Sequence, residues 1–233
     1  MITERQENLL KIILKHYIKT AQPVGSEVLA NNTDFKISPA TIRNEMANLT
    51  KNGYLEQPHT SAGRIPTEKA YHHYLNKFLK AAEPVVNEKN NFKKIKSDHQ
   101  APDLLIKKMA QQLAKSSGEL VVVATDKDNF YYTGLSFLFS QPEFSQTENI
   151  FNISEMIDHL DSIMSEVFDT VSDDPQILLG QKNPFSRHCS TILTRLEIPE
   201  QKEDVIFGLL GPVRMDYDQN LGLINYVKKI LNN

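Results

Sequence analysis

The sequence predicts an α+β chain of two domains, a largely helical one in front and one with a central antiparallel sheet of about five strands behind. Three observations carry this. The 233 residues, 40% hydrophobic and 24% charged, suffice for two packed cores. Charge is split, with 18 Lys/Arg against 11 Asp/Glu in residues 1–118 and 8 against 18 in residues 119–233. The hydrophobic periodicity also changes after about residue 102, where apolar runs of strand length first occur.

The elements follow in order. Thr3 and Gln6 form a capping-box pattern before Leu9, Leu10, Ile13 and Tyr17, which predicts a first helix ending near Thr20. Pro23 and Gly25 break it, and Ser26 can cap a short second helix at 27–30. Ser38-Pro39 places a capping hydroxyl and a first-turn proline at the head of a third helix, stopped by Gly53. Residues 54–57 and 64–65 read as short strands around a tip with Pro58 and Gly63, and Pro66-Thr67-Glu68 opens a fourth helix. The compact solution for helix–helix–helix–hairpin–helix is a winged helix-turn-helix, assigned to residues 1–82.

Residues 83–102 are polar, Lys-rich and flanked by prolines, and are expected to form a linker. Residues 103–233 then show a helix at 104–115, strands at 120–124 and 130–135, and a long helical stripe from Met156 to Val171. Strands at 177–180, 189–195 and 205–211 follow, and a helix from about Tyr217 to Leu231 closes the domain.

The third helix holds the most specific chemistry. Ile42, Met46 and Leu49 share one narrow face and belong in a core. The opposite face collects Ala40, Thr41, Asn44, Ala47, Asn48 and Lys51, with Arg43 at its edge. Arginine can offer a fork to guanine and asparagine can pair both ways with adenine, so this face suits base edges in a major groove. At the hairpin tip, His59, Thr60, Ser61 and Arg64 surround Gly63 and can reach phosphates or a minor groove.

Other chemistry is thin. The seven histidines show no metal-ligand spacing, and neither a phosphate loop nor a nucleophile elbow is present, so no catalytic, metal or cofactor residue is expected. A lone Cys189 excludes an intramolecular disulfide framework and points to a reducing compartment. Neither a signal-peptide pattern nor a membrane-length apolar run is found, so a cytoplasmic protein is expected. Arg214, in GPVRMDY, is expected to serve a structural corner.

The stretches PVGSEVLA and ISPATIRNEMANLTKNGYLEQPHTSAGRIPTEKAY closely resemble the DNA-binding domain of the heat-inducible transcription repressor HrcA family. GLSFLFSQPEF, ILLGQKNPF and FGLLGPVRMDY resemble its second domain more loosely. The resemblance implies a GAF-like second domain, a homodimer, an inverted-repeat double-stranded DNA operator of the CIRCE type, and dependence on the GroE chaperonin. It places recognition on Ser38 through Lys51 and the wing on Gln57 through Pro66. Thr41, Arg43, Asn44 and Asn48 are then expected to read bases; Ser38, Lys51, His59, Thr60, Ser61 and Arg64 to contact phosphates or form the wing. Two departures stand out. Ala70-Tyr71-His72 replaces the family's Gly-Tyr-Arg, and only TDKDN separates the strands at 120–124 and 130–135, leaving no room for the inserted subdomain that most members carry. The stripe of Tyr71, Tyr74 and Phe78 and the 154–171 helix are alternative dimer surfaces. The competing reading is a winged-helix regulator whose GAF-like domain senses a small molecule.

Overall fold

The computed structural model describes residues 2–32, 37–60, 62–98, 101–144, 147–198 and 203–232. They form two compact units, 1–79 and 80–233.

In the first unit, α1 (Glu4–Thr20) starts at the expected capping box, with Thr3 and Gln6 each accepting from the other's backbone N–H. Then come α2 (Ser26–Asn32), α3 (Pro39–Lys51), a hairpin of β1 (Leu55–Glu56) and β2 (Ile65–Pro66), and α4 (Glu68–Lys77). The core is built from Leu9, Leu10, Ile13 and Leu14 of α1, Ile42, Met46 and Leu49 of α3, and Tyr71 and Tyr74 of α4. Tyr71 and Tyr74 are each only 2% exposed, which removes them as a dimer surface: the α4 stripe faces its own core. A mutual pair of backbone hydrogen bonds at 2.9 Å joins Val24 to Arg64, a single antiparallel bridge that ties the segment before α2 to the wing.

The second unit begins earlier than expected. The supposed linker folds into α5 (Val86–Ser97), whose Phe92 is fully buried and meets Tyr226 edge to face at 6.0 Å. One aromatic side chain anchors a helix that is otherwise polar enough to pass for linker. The charge split needs the same correction. Residues 1–79 alone carry 10 Lys/Arg against 7 Asp/Glu, while residues 80–118, with 8 against 4, fold into the second unit.

Beyond α5 come α6 (Pro102–Ser117), β3 (Leu120–Ala124), β4 (Phe130–Thr133), α7 (Leu135–Phe139), α8 (Thr147–Asp158), α9 (Leu160–Phe168), β5 (Gln176–Leu179), β6 (Cys189–Ile198), β7 (Glu203–Pro212) and α10 (Tyr217–Leu231). The five strands pair antiparallel in the order β4-β3-β7-β6-β5. Leu120, Val122, Ala124, Leu193, Ile206 and Leu210 pack on one side against Leu138, Met156, Leu160 and Met164 of α7–α9. The other side meets α6 and α10. With both sides covered, β3 is buried at every residue, which is why it reads as a continuous apolar run.

Two details differ from expectation. The second strand stops at Thr133, because Gly134 takes a φ of 90° and turns the chain into α7. The stripe from Met156 to Val171 is divided at His159 into α8 and α9. Its Met156, Leu160, Met164 and Val167 are buried in the sheet's core, so this stripe too is internal. The β3–β4 connection is the tight turn expected, closed by Asp126 accepting at 2.8 Å from the N–H groups of both Asp128 and Asn129. Arg214 is the expected corner, bonding Glu143 and, at 2.8 Å, Gln141.

Candidate nucleic-acid interface

The interface is built on α3. Ser38 is its N-cap, accepting from the Thr41 N–H at 3.2 Å, and its hydroxyl also bonds the Thr41 hydroxyl at 3.0 Å. These two groups, expected to contact phosphate and base, therefore spend hydrogen-bonding capacity on starting the helix. At the other end Gly53, with φ 75°, turns the chain while Tyr54 N–H donates to Leu49 C=O at 2.9 Å. Lys69 of α4 donates to the last-turn carbonyl of Asn52 at 2.8 Å and sits 4.5 Å above the Tyr54 ring. Both ends of the recognition helix are thus tied down.

Its inner side is held by more than apolar contact. Glu45 lies beside Ile42 and Met46, only 5% exposed, and accepts from Gln6 Nε2 at 2.8 Å while pairing with Arg5. Gln6 foremost, then Arg5 and Asn48, hold its carboxyl below the usual carboxylate range against the opposing cost of burial. Glu45 was missed in the sequence, although its place between Ile42 and Met46 on the buried stripe marks it as an inward-facing charge that needs partners.

The outer side is open. Arg43, Asn44, Asn48 and Lys51 are all exposed, with Ala47 between them, and Thr41 is half-buried. The small alanine leaves the backbone free to approach a groove closely.

The wing is braced by Gln57, whose Nε2 donates to the carbonyls of Thr60 (2.9 Å) and Ala62 (3.0 Å). His59 and Thr60 stay exposed at the tip, and the His59 carbonyl accepts from Ala62 N–H at 2.9 Å. Ser61 lies outside the described residues. Gly63 is required by a close approach: a Cβ there would sit 2.5 Å from the carbonyl carbon and oxygen of Val24. Arg64 is half-buried, and its side of the wing and Arg43 of α3 line one open groove together with Gln57, Thr60 and Ser26. The fold therefore brings one expected base reader and two expected wing residues around a common cleft. Asn44, Asn48 and Lys51 lie on the exposed face of α3 outside it.

Elsewhere, no group of three or more His, Cys, Asp or Glu among the described residues is placed to hold a metal ion. No described helix is long and apolar enough to cross a membrane. His188 and Cys189 form no reactive pair: Arg187 Nε donates to His188 Nε2 at 3.0 Å, and burial pushes the Cys189 thiol up to about 12.

Comparison with known proteins bears on both units. The family model described as the winged helix-turn-helix transcription repressor, HrcA DNA-binding, matches residues 1–79, and that of the HrcA protein C terminal domain matches residues 47–220. The heat-inducible transcription repressor HrcA of Desulforudis audaxviator is 42% identical over 123 residues, which are 53% of this chain and 35% of that protein. That of Carboxydothermus hydrogenoformans is 48% identical over 98 residues, 42% of this chain and 29% of the relative. These matches thus span about a third of the relatives' own length. Against the HrcA of Thermoanaerobacter sp. (strain X514), similarity extends over the whole chain and 96% of the relative at 26% identity. That alignment has 333 positions, about 100 more than this chain has residues, in keeping with an inserted subdomain that is missing here. A crystal structure at 2.2 Å, of a protein described as hypothetical, shares the fold over 100% of this chain and 98% of its own, with a TM-score of 0.81 and 17% identity. With one family accounting for the recognition helix, the wing and most of the sheet domain, the chain belongs to the HrcA family.

Proposed function

We propose that this protein is a cytoplasmic transcriptional repressor that occupies an inverted-repeat operator of the CIRCE type as a homodimer, and that the GroE chaperonin modulates it. The observation that carries the reading is the outer side of α3, where Arg43, Asn44, Asn48 and Lys51 stand exposed on a helix tied at both ends and buried behind. Its side chains stand exposed on the side away from the core, with Asn48 alone also reaching Glu45, and their donors match base edges. The wing supplies phosphate contacts through His59, Thr60, Ser61 and Arg64, with Lys51 and Ser38 at the two ends of α3.

The action is steric. A dimer seats two recognition helices in successive major grooves and denies the site to polymerase, with no bond made or broken. In the family's regulatory scheme the chaperonin keeps the repressor active and unfolded protein draws it away, which couples derepression to heat.

The test is fluorescence anisotropy on an inverted-repeat CIRCE-type duplex and a scrambled duplex across a salt series. Operator affinity at least ~10³-fold above scrambled supports the reading, and the salt slope counts the phosphates neutralised. Equal, weak and salt-labile binding to both duplexes refutes specific repression by this chain alone. Adding GroE to the same titration tests the chaperonin: an unchanged operator affinity and active fraction removes it from the scheme.

A further inference from the structure

The second unit contains an open cleft apart from the α3 and wing residues. Its walls are the strap at residues 81–84, one side of α5 and one side of α10, and its volume is about 800 Å³. Ligand clefts typically measure ~300–1,000 Å³.

Its walls are chemically one-sided. Lys89, Lys93 and Lys96 recur at steps of four and three, so they line one side of α5, and Lys229 of α10 joins them. Glu83 is the only carboxylate among the described lining residues. It pairs with Lys89, and the charges of Lys89 and Lys229 hold it below the usual carboxylate range. The described lining thus holds four lysines against one carboxylate. Among the described residues neither Lys93 nor Lys96 has an ion-pair partner. Like charges gathered on one concave wall repel one another, which an anion would relieve.

The floor is different. Tyr226 and Ile230 of α10 contribute an apolar surface, and the Tyr226 ring is fixed edge to face against the buried Phe92. The Lys89 ammonium lies 5.7 Å from the Tyr226 ring centre, so a cation and an aromatic face are already juxtaposed. The strap is equally fixed. Lys80 N–H donates to the Asp218 carboxylate at 3.1 Å and Ala82 N–H to the Asp218 carbonyl at 2.8 Å. Gly222 lets the strap lie on α10, because a Cβ there would fall 1.7 Å from the Ala82 carbonyl oxygen.

We infer that this cavity binds a small multiply charged anion bearing a flat ring, the chemistry of a nucleoside diphosphate, with the ring on Tyr226 and Ile230 and the phosphates among Lys89, Lys93, Lys96 and Lys229. A free inorganic anion satisfies the lysines and leaves the apolar floor uncovered. A neutral ring does the reverse.

The test is isothermal titration of the full chain with ADP, adenosine and inorganic phosphate in turn. Saturable one-to-one ADP binding is expected, at least tenfold tighter than either adenosine or phosphate. In the Lys93→Glu/Lys96→Glu double variant, ADP affinity should fall at least tenfold while the melting temperature stays put, both lysines being on the helix surface. The single Lys93→Gln variant serves where charge reversal disturbs folding, with at least a threefold loss expected. Absence of saturable ADP binding to the unaltered chain overturns the inference, and so does ADP binding that the variants leave unchanged. If ADP does not bind and the double variant instead lowers the salt slope on scrambled DNA, the lysines serve a nucleic-acid backbone and the cavity is no ligand site.

Discussion

Glu45, on the buried side of the recognition helix, accepts a 2.8 Å hydrogen bond from the side-chain amide of Gln6 in the first helix. Gln6 also caps its own helix, accepting from the Thr3 N–H through Oε1 at 3.0 Å. One glutamine therefore sets the start of α1 and the seat of α3. The seat is polar where a simple amphipathic helix would be apolar, which makes the orientation of the exposed side of α3 depend on specific side-chain pairing.

Replacing Glu45 with Ala should lower stability by about 1–3 kcal/mol, since Gln6 then buries an amide donor with no acceptor. The dependence on pH has a definite sign. A carboxyl whose folded-state pKa is depressed adds stability above its unfolded value and loses it as pH falls through the folded value. Urea denaturation of the unaltered chain and of Glu45→Gln from pH 7 to pH 3 checks this. The first unit should lose stability on acidification more steeply with Glu45 than with Gln, and parallel curves would remove the linkage.

Glu119 predicts the opposite slope in the second unit. It is 4% exposed, its Oε2 has no hydrogen-bond partner among the described residues, and burial raises its pKa to about 8 against a weaker lowering by Asn220 and Arg214. The folded unit then keeps a proton that the unfolded chain releases near the ordinary carboxylate value of about 4.5. Stability should therefore fall as pH rises from about 4.5 to about 8 and level off beyond. Glu119→Gln should flatten that slope and leave the variant the more stable of the two at pH 8. Calorimetric melting at pH 5, 6.5 and 8 measures it, and a slope that survives the substitution assigns the effect elsewhere.

Gly63→Ala should dislodge the wing. Its Cβ meets the Val24 backbone at 2.5 Å and the Pro23 carbonyl carbon at 2.8 Å, and no flexible side chain is there to yield. A cost of about 1–3 kcal/mol is expected from such overpacking. Amide exchange at Val24 and Arg64 should quicken, because the strained contact lies on their mutual pair of hydrogen bonds. Unchanged exchange at both amides would show that the wing accommodates a side chain there.

On the recognition face, Arg43→Ala should cost about 1–3 kcal/mol at the operator and relax specificity, while Lys51→Ala should weaken all duplexes alike and reduce the salt slope by about 1. Anisotropy on operator and scrambled DNA separates the two. Equal losses on both duplexes for Arg43→Ala would move it from base reading to phosphate contact.

Much of this was legible in the sequence because it rests on local rules. Thr3–Gln6 and Ser38-Pro39 announce helix starts through short-range hydrogen bonds, and Gly53 announces a stop through its backbone freedom. Ile42, Met46 and Leu49 announce which side of α3 is buried, hence which side is free to meet a partner. The continuous apolar run of β3 likewise announces a strand covered on both faces. Each signal lies within a few residues of its consequence.

The departures all involve partners distant in the chain. Residues 83–102 look like a linker because eleven of the twelve residues of α5 leave no buried mark. Phe92 becomes an anchor only once Tyr226, 134 positions away, is brought against it. His159 divides a stripe whose periodicity runs on unbroken, since the path of α8 and α9 over the sheet is set by packing. Capping, glycine freedom and helical period, all local, make the winged-helix order and the exposed side of α3 legible in the chain itself. Only the tertiary structure decided that Glu45 is braced by Gln6, that Gly63 must be bare, and that four lysines share a cavity with Tyr226. Those facts are distances between segments that the chain order leaves far apart.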